Sequence, residues 1–411
     1  MDNWPNDKYN FFDINCSKEK KIRITNNGEL EEIFYEYANN YKEAARLIVE
    51  DALNLQSISV LDINFYGLAF LYRHSLELIL KAIGFKYLKS TVERKQFIKE
   101  TFHNLYDIAE YIFPYIKEYI EEDMYSYNWM MSIFDDMNSI DKESDSFRYP
   151  FGIIKKTTSS FGTYKPKFEV KIFFDKETHI DLISFANKME IIFYILKGYY
   201  LEKKQKVKET REYSTIFLEE GGEYYAKSVI GYNYSIGKFY CNVTAYRNCA
   251  DILYDIISKN NDKKNLFMPM CYLYRNSVEL AMKEILFEES SFGFQESLKK
   301  LNDNKHRVYS LWKEIKDDIR KHAQVNEDDI ILKNIEMYIK HLNEIDGSAD
   351  IFRYPIGKSL NVYFAGGRSF DLNNVRDFFE HILCFFKNIC YMMSEQNEIL
   401  REIQAEAMSY Y

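Results

Sequence analysis

Between residues 30 and 52 the apolar positions fall at 30, 33, 34, 37, 38, 41, 44, 45, 48, 49 and 52. That spacing keeps them on one face of a 3.6-residue helix, so an amphipathic helix is expected over Leu30–Ala52. Tyr246–Ile257 carries a shorter version of the same pattern. Leu71–Ile83 is different, being apolar nearly all round, which is the pattern of a buried helix. A sharper change comes at Phe147-Arg148-Tyr149-Pro150 and again at Phe352-Arg353-Tyr354-Pro355. The residue before a proline is pushed out of the α region, and Gly152 or Gly357 then permits a turn, so extended chain is expected there. Alternation over Lys165–Phe174 and Leu360–Ala365 predicts a small β-hairpin at each place. Asp181-Leu182 and Asp371-Leu372 then open a last helix, with the aspartate placed to cap it.

These elements come twice. Leu71–Ile83 reads LYRHSLELILKAI and Leu273–Ile285 reads LYRNSVELAMKEI, identical at eight of thirteen positions. Ile140–Gly152 (IDKESDSFRYPFG) and Ile345–Gly357 (IDGSADIFRYPIG) again share eight of thirteen, and His103-x-Leu105-Tyr106 answers His306-x-Val308-Tyr309. Chance would give about one identity per pair. The offsets of 202, 205 and 203 hold the order as well as the letters. The expected fold is therefore mainly α: two tandem helical-bundle units related by internal duplication, spanning 1–212 and 213–411, each with a hairpin before its last helix.

Composition narrows the class. With 35 Tyr and 31 Phe against 15 Gly and 6 Pro in 411 residues, long regular elements with large cores are favoured over a turn-rich β-sandwich. The formal net charge is -9, so any nucleic-acid contact must be a local basic site within an acidic whole. The basic runs Lys18–Arg23 and Lys203–Lys208 adjoin acidic residues and read as a solvated face and a linker. Six cysteines form no C-x-x-C pair, and no leader-like segment opens the chain, which points to the reducing cytoplasm. The most apolar stretch, Gly67–Phe85, is broken by Arg73, His74, Glu77 and Lys81, so no membrane segment is expected.

Those same interrupting residues are the first candidates for chemistry. Arg73, Glu77 and Lys81 stand at i, i+4 and i+8, one polar stripe on an otherwise apolar helix, and Arg275, Glu279 and Lys283 repeat it. Buried charges need partners, because stranding one costs several kcal/mol. His103, Asp145 and Arg148 are expected to meet the first stripe, and His306, Asp350 and Arg353 the second. Such a set is either a salt-bridge network locking helix to hairpin or an acid–base site with cationic anchors for an anion. P-loop, dinucleotide-binding, zinc-protease and nucleophile-elbow motifs are absent from the sequence.

A helix with R-x-S-x-E-L, a following H-x-L, and an extended F-R-Y-P before a last helix together resemble bacterial HEPN-like proteins, helical proteins of toxin and anti-phage systems. The resemblance implies a bundle that dimerises. In active members it also implies a metal-independent, cofactor-free endoribonuclease with an R-x(4–6)-H signature near the start of the last helix. Arg376-Asp377-Phe378-Phe379-Glu380-His381 fits that signature. The positions aligned with it in the first unit are Ala186 and Ile191. The expectation is thus a cytoplasmic RNA-cleaving homodimer, with a partner protein from a defence operon possible. Arg376 and His381 would be catalytic in the second unit, and the first unit would be a degenerate scaffold or regulator. The alternative is a non-catalytic interaction or sensor module of a defence system. A site in an exposed basic cleft would favour the enzyme, and one under packed side chains the module.

Overall fold

The computed structural model describes residues 4–160, 163–174, 178–230 and 238–409. Its elements are mostly helices, which follow one another in the same order in the two sequence halves. The first half has α1 (Leu30–Leu55), α2 (Ile58–Tyr87), α3 (Thr91–Thr101), α4 (Leu105–Ile120), α5 (Met124–Asp141) and α6 (Leu182–Tyr200). The second has α7 (Phe239–Lys259), α8 (Phe267–Glu284), α9 (Phe294–Asn304), α10 (Val308–Ala323), α11 (Ile330–Asp346) and α12 (Leu372–Ser409). A π-helical turn over Ile285–Glu289 follows α8.

The sequence signals act as expected at several ends. Asp181 accepts the Ser184 amide at 2.9 Å and Asp371 accepts the Asn373 amide at 3.0 Å, so both last helices are capped by the aspartates that precede them. Ser90 caps α3 reciprocally with Glu93. In α1 the buried residues are Ile33, Phe34, Tyr37, Ala38, Tyr41, Ala44, Ala45, Ile48, Val49 and Ala52, the face set by the 3.6-residue spacing. Helix α2 is buried all round from Gly67 to Phe85, its stripe of Arg73, Glu77 and Lys81 included. A single hydrophobic core runs through both halves, and at its centre Phe70 stacks on Tyr272, ring centroids 4.8 Å apart.

Among the described residues six strands pair antiparallel, in twos. The hairpin is present after the first F-R-Y-P, where β2 (Phe151–Ser160) pairs with β3 (Thr163–Ile172), Phe151 opposite Ile172. After the second F-R-Y-P the expected strand over Leu360–Ala365 does not form. That segment is a turn with one bridge, Ile356 to Val362, too short to sustain a ladder. Its strand partner lies elsewhere: β6 (Arg368–Asp371), just before α12, pairs with β1 (Lys21–Ile24) from the start of the chain. Likewise β4 (Thr178–Asp181), before α6, pairs with β5 (Lys227–Ile230), which precedes α7. Each half thus lends a strand to the other. Among the described residues no helix is long and apolar enough to cross a membrane.

Candidate functional site

Because α2 is enclosed, every charge on it must be answered inside the protein. Glu77 is fully buried, and its Oε2 accepts from Arg73 Nη1 at 2.9 Å. Its Oε1 is reached by Lys81 Nζ at 2.6 Å, His103 Nδ1 at 2.9 Å and Tyr354 Oη at 2.7 Å. Arg73 also donates to the His103 carbonyl at 2.6 Å and pairs through Nε with Asp141 at 3.0 Å.

The second cluster repeats this. Glu279 takes Arg275, Lys283 Nζ at 2.8 Å, His306 Nδ1 at 3.0 Å and Tyr149 Oη at 2.8 Å. Arg275 Nη2 donates to the His306 carbonyl at 2.5 Å, and Asp346 stands 3.8 Å from Arg275 Nε.

The expected partners of Arg73, Glu77 and Lys81 are therefore corrected, first in the half that supplies them. Arg148 and its neighbour Tyr149 do not dock on the helix of their own half; they dock on Glu279 and His306. Arg353 and Tyr354 dock instead beside Glu77, His103 and His74. The backbone explains the crossing: Tyr41 in α1 donates to the Phe352 carbonyl, and Tyr246 in α7 to the Phe147 carbonyl, so each long helix holds the other half's F-R-Y-P.

The two arginines are buried, and their guanidinium groups lie over the Phe70 ring at 5.9 Å (Arg148) and 5.7 Å (Arg353). Asp145 pairs with Arg148 at 3.3 Å from a half-exposed position, while Asp350 accepts from Ser348. Among the described residues neither forms an ion pair or hydrogen bond with the glutamates' stripe, although Asp145 acts on Lys283 at longer range. That place is taken by Asp141 and Asp346, which lie inside the repeated segments and are identical in both copies; the two tyrosines satisfy the same test.

Burial alone would push the Glu77 carboxyl up, but Lys81, His103 and His74 outweigh it and hold the group well below the usual carboxylate range. Glu279 is held down in the same way by Lys283, His306 and Arg275. An ionised carboxylate can only accept, so the Nδ1 of each histidine carries the proton and Nε2 is left as the acceptor. For His103 the pull of Glu77 upward is overcome by burial and by the charges of Lys81 and Arg353, which lowers it. Burial leads in lowering His306, to about 4. Both rings are therefore neutral at pH 7, and their side chains keep about a third of their surface exposed, 36% and 34%.

His103 opens on a cavity of about 500 Å³, whose cationic lining is Lys81, Lys95, Lys99 and Lys358, with Asp350 the single acidic residue and Phe34, Phe102 and Ile356 among its apolar walls. Among the described residues no group of three or more His, Cys, Asp or Glu side chains is placed to hold a metal ion.

The R-x4-H pair lies apart from both clusters. Arg376 is partly exposed, bonded to its neighbour Asp377 and lying over the Tyr254 ring. His381 is only 4% exposed, with Nδ1 3.1 Å from Tyr338 Oη and its ring edge-on to Tyr9 at 4.7 Å. Glu380 between them is tied to Arg247. Helix geometry separates the two side chains, as residues five apart stand about 140° apart round the axis. His381 sits under packed side chains, the arrangement that weighs against catalysis there. Compared with known proteins, the chain matches no family model, no curated protein and no solved structure.

Proposed function

We propose that the chain is an endoribonuclease of the acid–base type, a duplicated HEPN-like helical unit whose chemistry resides in the Glu77–His103 and Glu279–His306 pairs. The observation that supports this reading is the pair itself: a buried, ionised carboxylate fixes the Nδ1 proton of a histidine about a third exposed, leaving Nε2 to act. In such a site Nε2 would take the proton of an RNA 2'-hydroxyl as that oxygen attacks phosphorus. The P–O5' bond then breaks, and the imidazolium returns the proton to the departing oxygen. A 2',3'-cyclic phosphate and a 5'-hydroxyl result. Lys81, Lys95, Lys99 and Lys358 would offset the charge on the phosphate. Tyr354 and Tyr149 are positioning residues, each holding the glutamate of the opposite half. On this reading each site is complete within one chain, and a defence or toxin-type setting rests on the resemblance alone.

The test is an RNA-cleavage assay with a His103→Ala/His306→Ala variant. Cleavage should fall by roughly 10²–10⁴-fold, the usual worth of a positioned proton-transfer group, with folding retained. Unchanged cleavage in that variant, with loss in Arg376→Ala, would return the chemistry to the last helix. A second reading, a non-catalytic sensor or interaction module, is favoured by the complete burial of Glu77 and Glu279, since paired networks of that kind also serve to lock a fold.

A further inference from the structure

Residues 151–172 hold five lysines and one glutamate, in a chain whose net charge is -9. The pairing of β2 with β3 sorts them by face. Opposite residues share a side of a two-stranded ribbon, so Gly152, Ile154 and Lys156 lie with Lys171, Glu169 and Lys167, and Phe151, Ile153 and Lys155 lie with Ile172, Val170 and Phe168. The second face is the docked one. Phe151 and Phe168 are buried, Phe151 packs on Phe239 and Phe287, and the Phe168 backbone N and O bond the Gln295 side chain at 2.9 and 2.8 Å.

The first face is turned to solvent. Lys156 and Lys167 stand directly opposite each other with their side chains 57% and 56% exposed, and Lys171 is exposed with no acidic partner among the described residues. Like charges in register weaken a ladder. Glu169 relieves them only in part, at 2.5 Å from Lys156 and 3.5 Å from Lys167. A hairpin whose only task was to cover the core would not need this arrangement. The second half supplies an internal comparison: its own F-R-Y-P is followed by a short turn without such a ribbon.

We propose that this lysine face is a phosphate-binding platform for a single strand of RNA. Position favours RNA over other polyanions: β2 begins two residues after Tyr149, whose hydroxyl touches both Glu279 and His306, so a strand lying on the ribbon is led to that pair. The inference rests on the ribonuclease reading for its occupant, and it is separable from that reading by experiment.

The measurement is binding of a fluorescein-labelled 12-nucleotide oligouridylate to the full chain between 50 and 200 mM salt, with a Lys156→Gln/Lys167→Gln/Lys171→Gln variant. The three side chains are exposed, so the variant should melt as wild type does. Its affinity at 50 mM salt should fall at least tenfold. The slope of log K against log salt should shrink by about 2, since each phosphate of a single strand that is no longer neutralised removes about 0.7 from it. Lys203→Gln/Lys204→Gln/Lys206→Gln, in a separate exposed basic run, should bind as wild type does.

Equal affinity and slope in the hairpin variant overturn the platform. So does equal competition by polyglutamate or by vesicles of anionic lipid, which would make the face a site for acidic protein or membrane. If the hairpin variant loses binding while the histidine variant still cuts, the ribonuclease reading of those pairs fails and the platform stands. If the histidine variant stops cutting while the hairpin lysines are immaterial, the reverse holds.

Discussion

Tyr354 and Glu77 are 277 residues apart, yet the tyrosine hydroxyl donates to the carboxylate at 2.7 Å inside the core. A double-mutant cycle of Tyr354→Phe and Glu77→Gln measures that contact. Tyr354→Phe removes the hydrogen bond to a charged, buried acceptor, worth about 1.5–3 kcal/mol, and takes the same hydroxyl from Arg353 Nη2 and His103 Nδ1, 3.0 and 3.1 Å away; the cycle isolates the part shared with Glu77. Glu77→Gln leaves Lys81, 6% exposed at its side chain, without its counter-charge, and leaves buried Arg73 with Asp141 alone. Stranding buried charges costs about 3–5 kcal/mol, a large part of the roughly 5–15 kcal/mol that holds a typical protein folded.

Once Glu77 has lost its charge the tyrosine has less to lose, so the two effects should fall short of their sum by about 1–2 kcal/mol, within the range found for touching residues. Urea titrations followed by circular dichroism and tyrosine fluorescence supply the numbers, and coincident curves license the two-state treatment. Tyr149→Phe combined with Glu77→Gln is the control, and it should be additive to within about 0.5 kcal/mol. Coupling of Glu77 to Tyr149 rather than to Tyr354 would refute the crossed docking of the two F-R-Y-P segments.

His381→Ala should lower stability by about 1–3 kcal/mol, because it empties a packed position and leaves the Tyr338 hydroxyl short of a partner; a urea midpoint equal to wild type would contradict the packing described. Gly67→Ala should destabilise by about 1–3 kcal/mol, although the same change in an exposed helix is favourable, since a Cβ there would stand 2.7 Å from Cys249 Sγ on α7; a raised melting temperature would show that the two helices can part at no cost. The histidines set a pH window. Both are lowered in the fold, His306 to about 4 against an ordinary 6.5, so between those values the unfolded chain takes up protons that the folded one refuses. Stability should be full above pH 6.5, fall as the pH drops toward 4, and fall further when Glu77 and Glu279 must be protonated. A flat urea midpoint between pH 7.5 and 5 would contradict this.

Periodicity, capping aspartates and the prolines made the helices readable, since each is a local property of the chain. The repeated letters made the clusters readable too: Arg73, Glu77, Lys81 and His103 meet as expected, and so do Arg275, Glu279, Lys283 and His306. Asp141, Asp346, Tyr149 and Tyr354 were present in the repeated segments, at positions identical in both. They could have been included by asking which repeated residues can hydrogen-bond a buried charge. The alternation Lys-Pro-Lys-Phe-Glu-Val-Lys-Ile over residues 165–172 marked a strand with one charged face.

What the sequence could not decide is which half receives which segment. The two segments share their docking residues, as do the two sockets, so local energies hardly distinguish own-half from crossed docking. The choice falls to the long-range packing of Tyr41 and Tyr246 on the opposite F-R-Y-P and to the exchange of β1 and β5. The enclosure of the R-x4-H histidine was decided there as well. Spacing along a helix says which residues share a face, but only the neighbours Tyr9 and Tyr338 determine that His381 is enclosed while His103 and His306 remain half open.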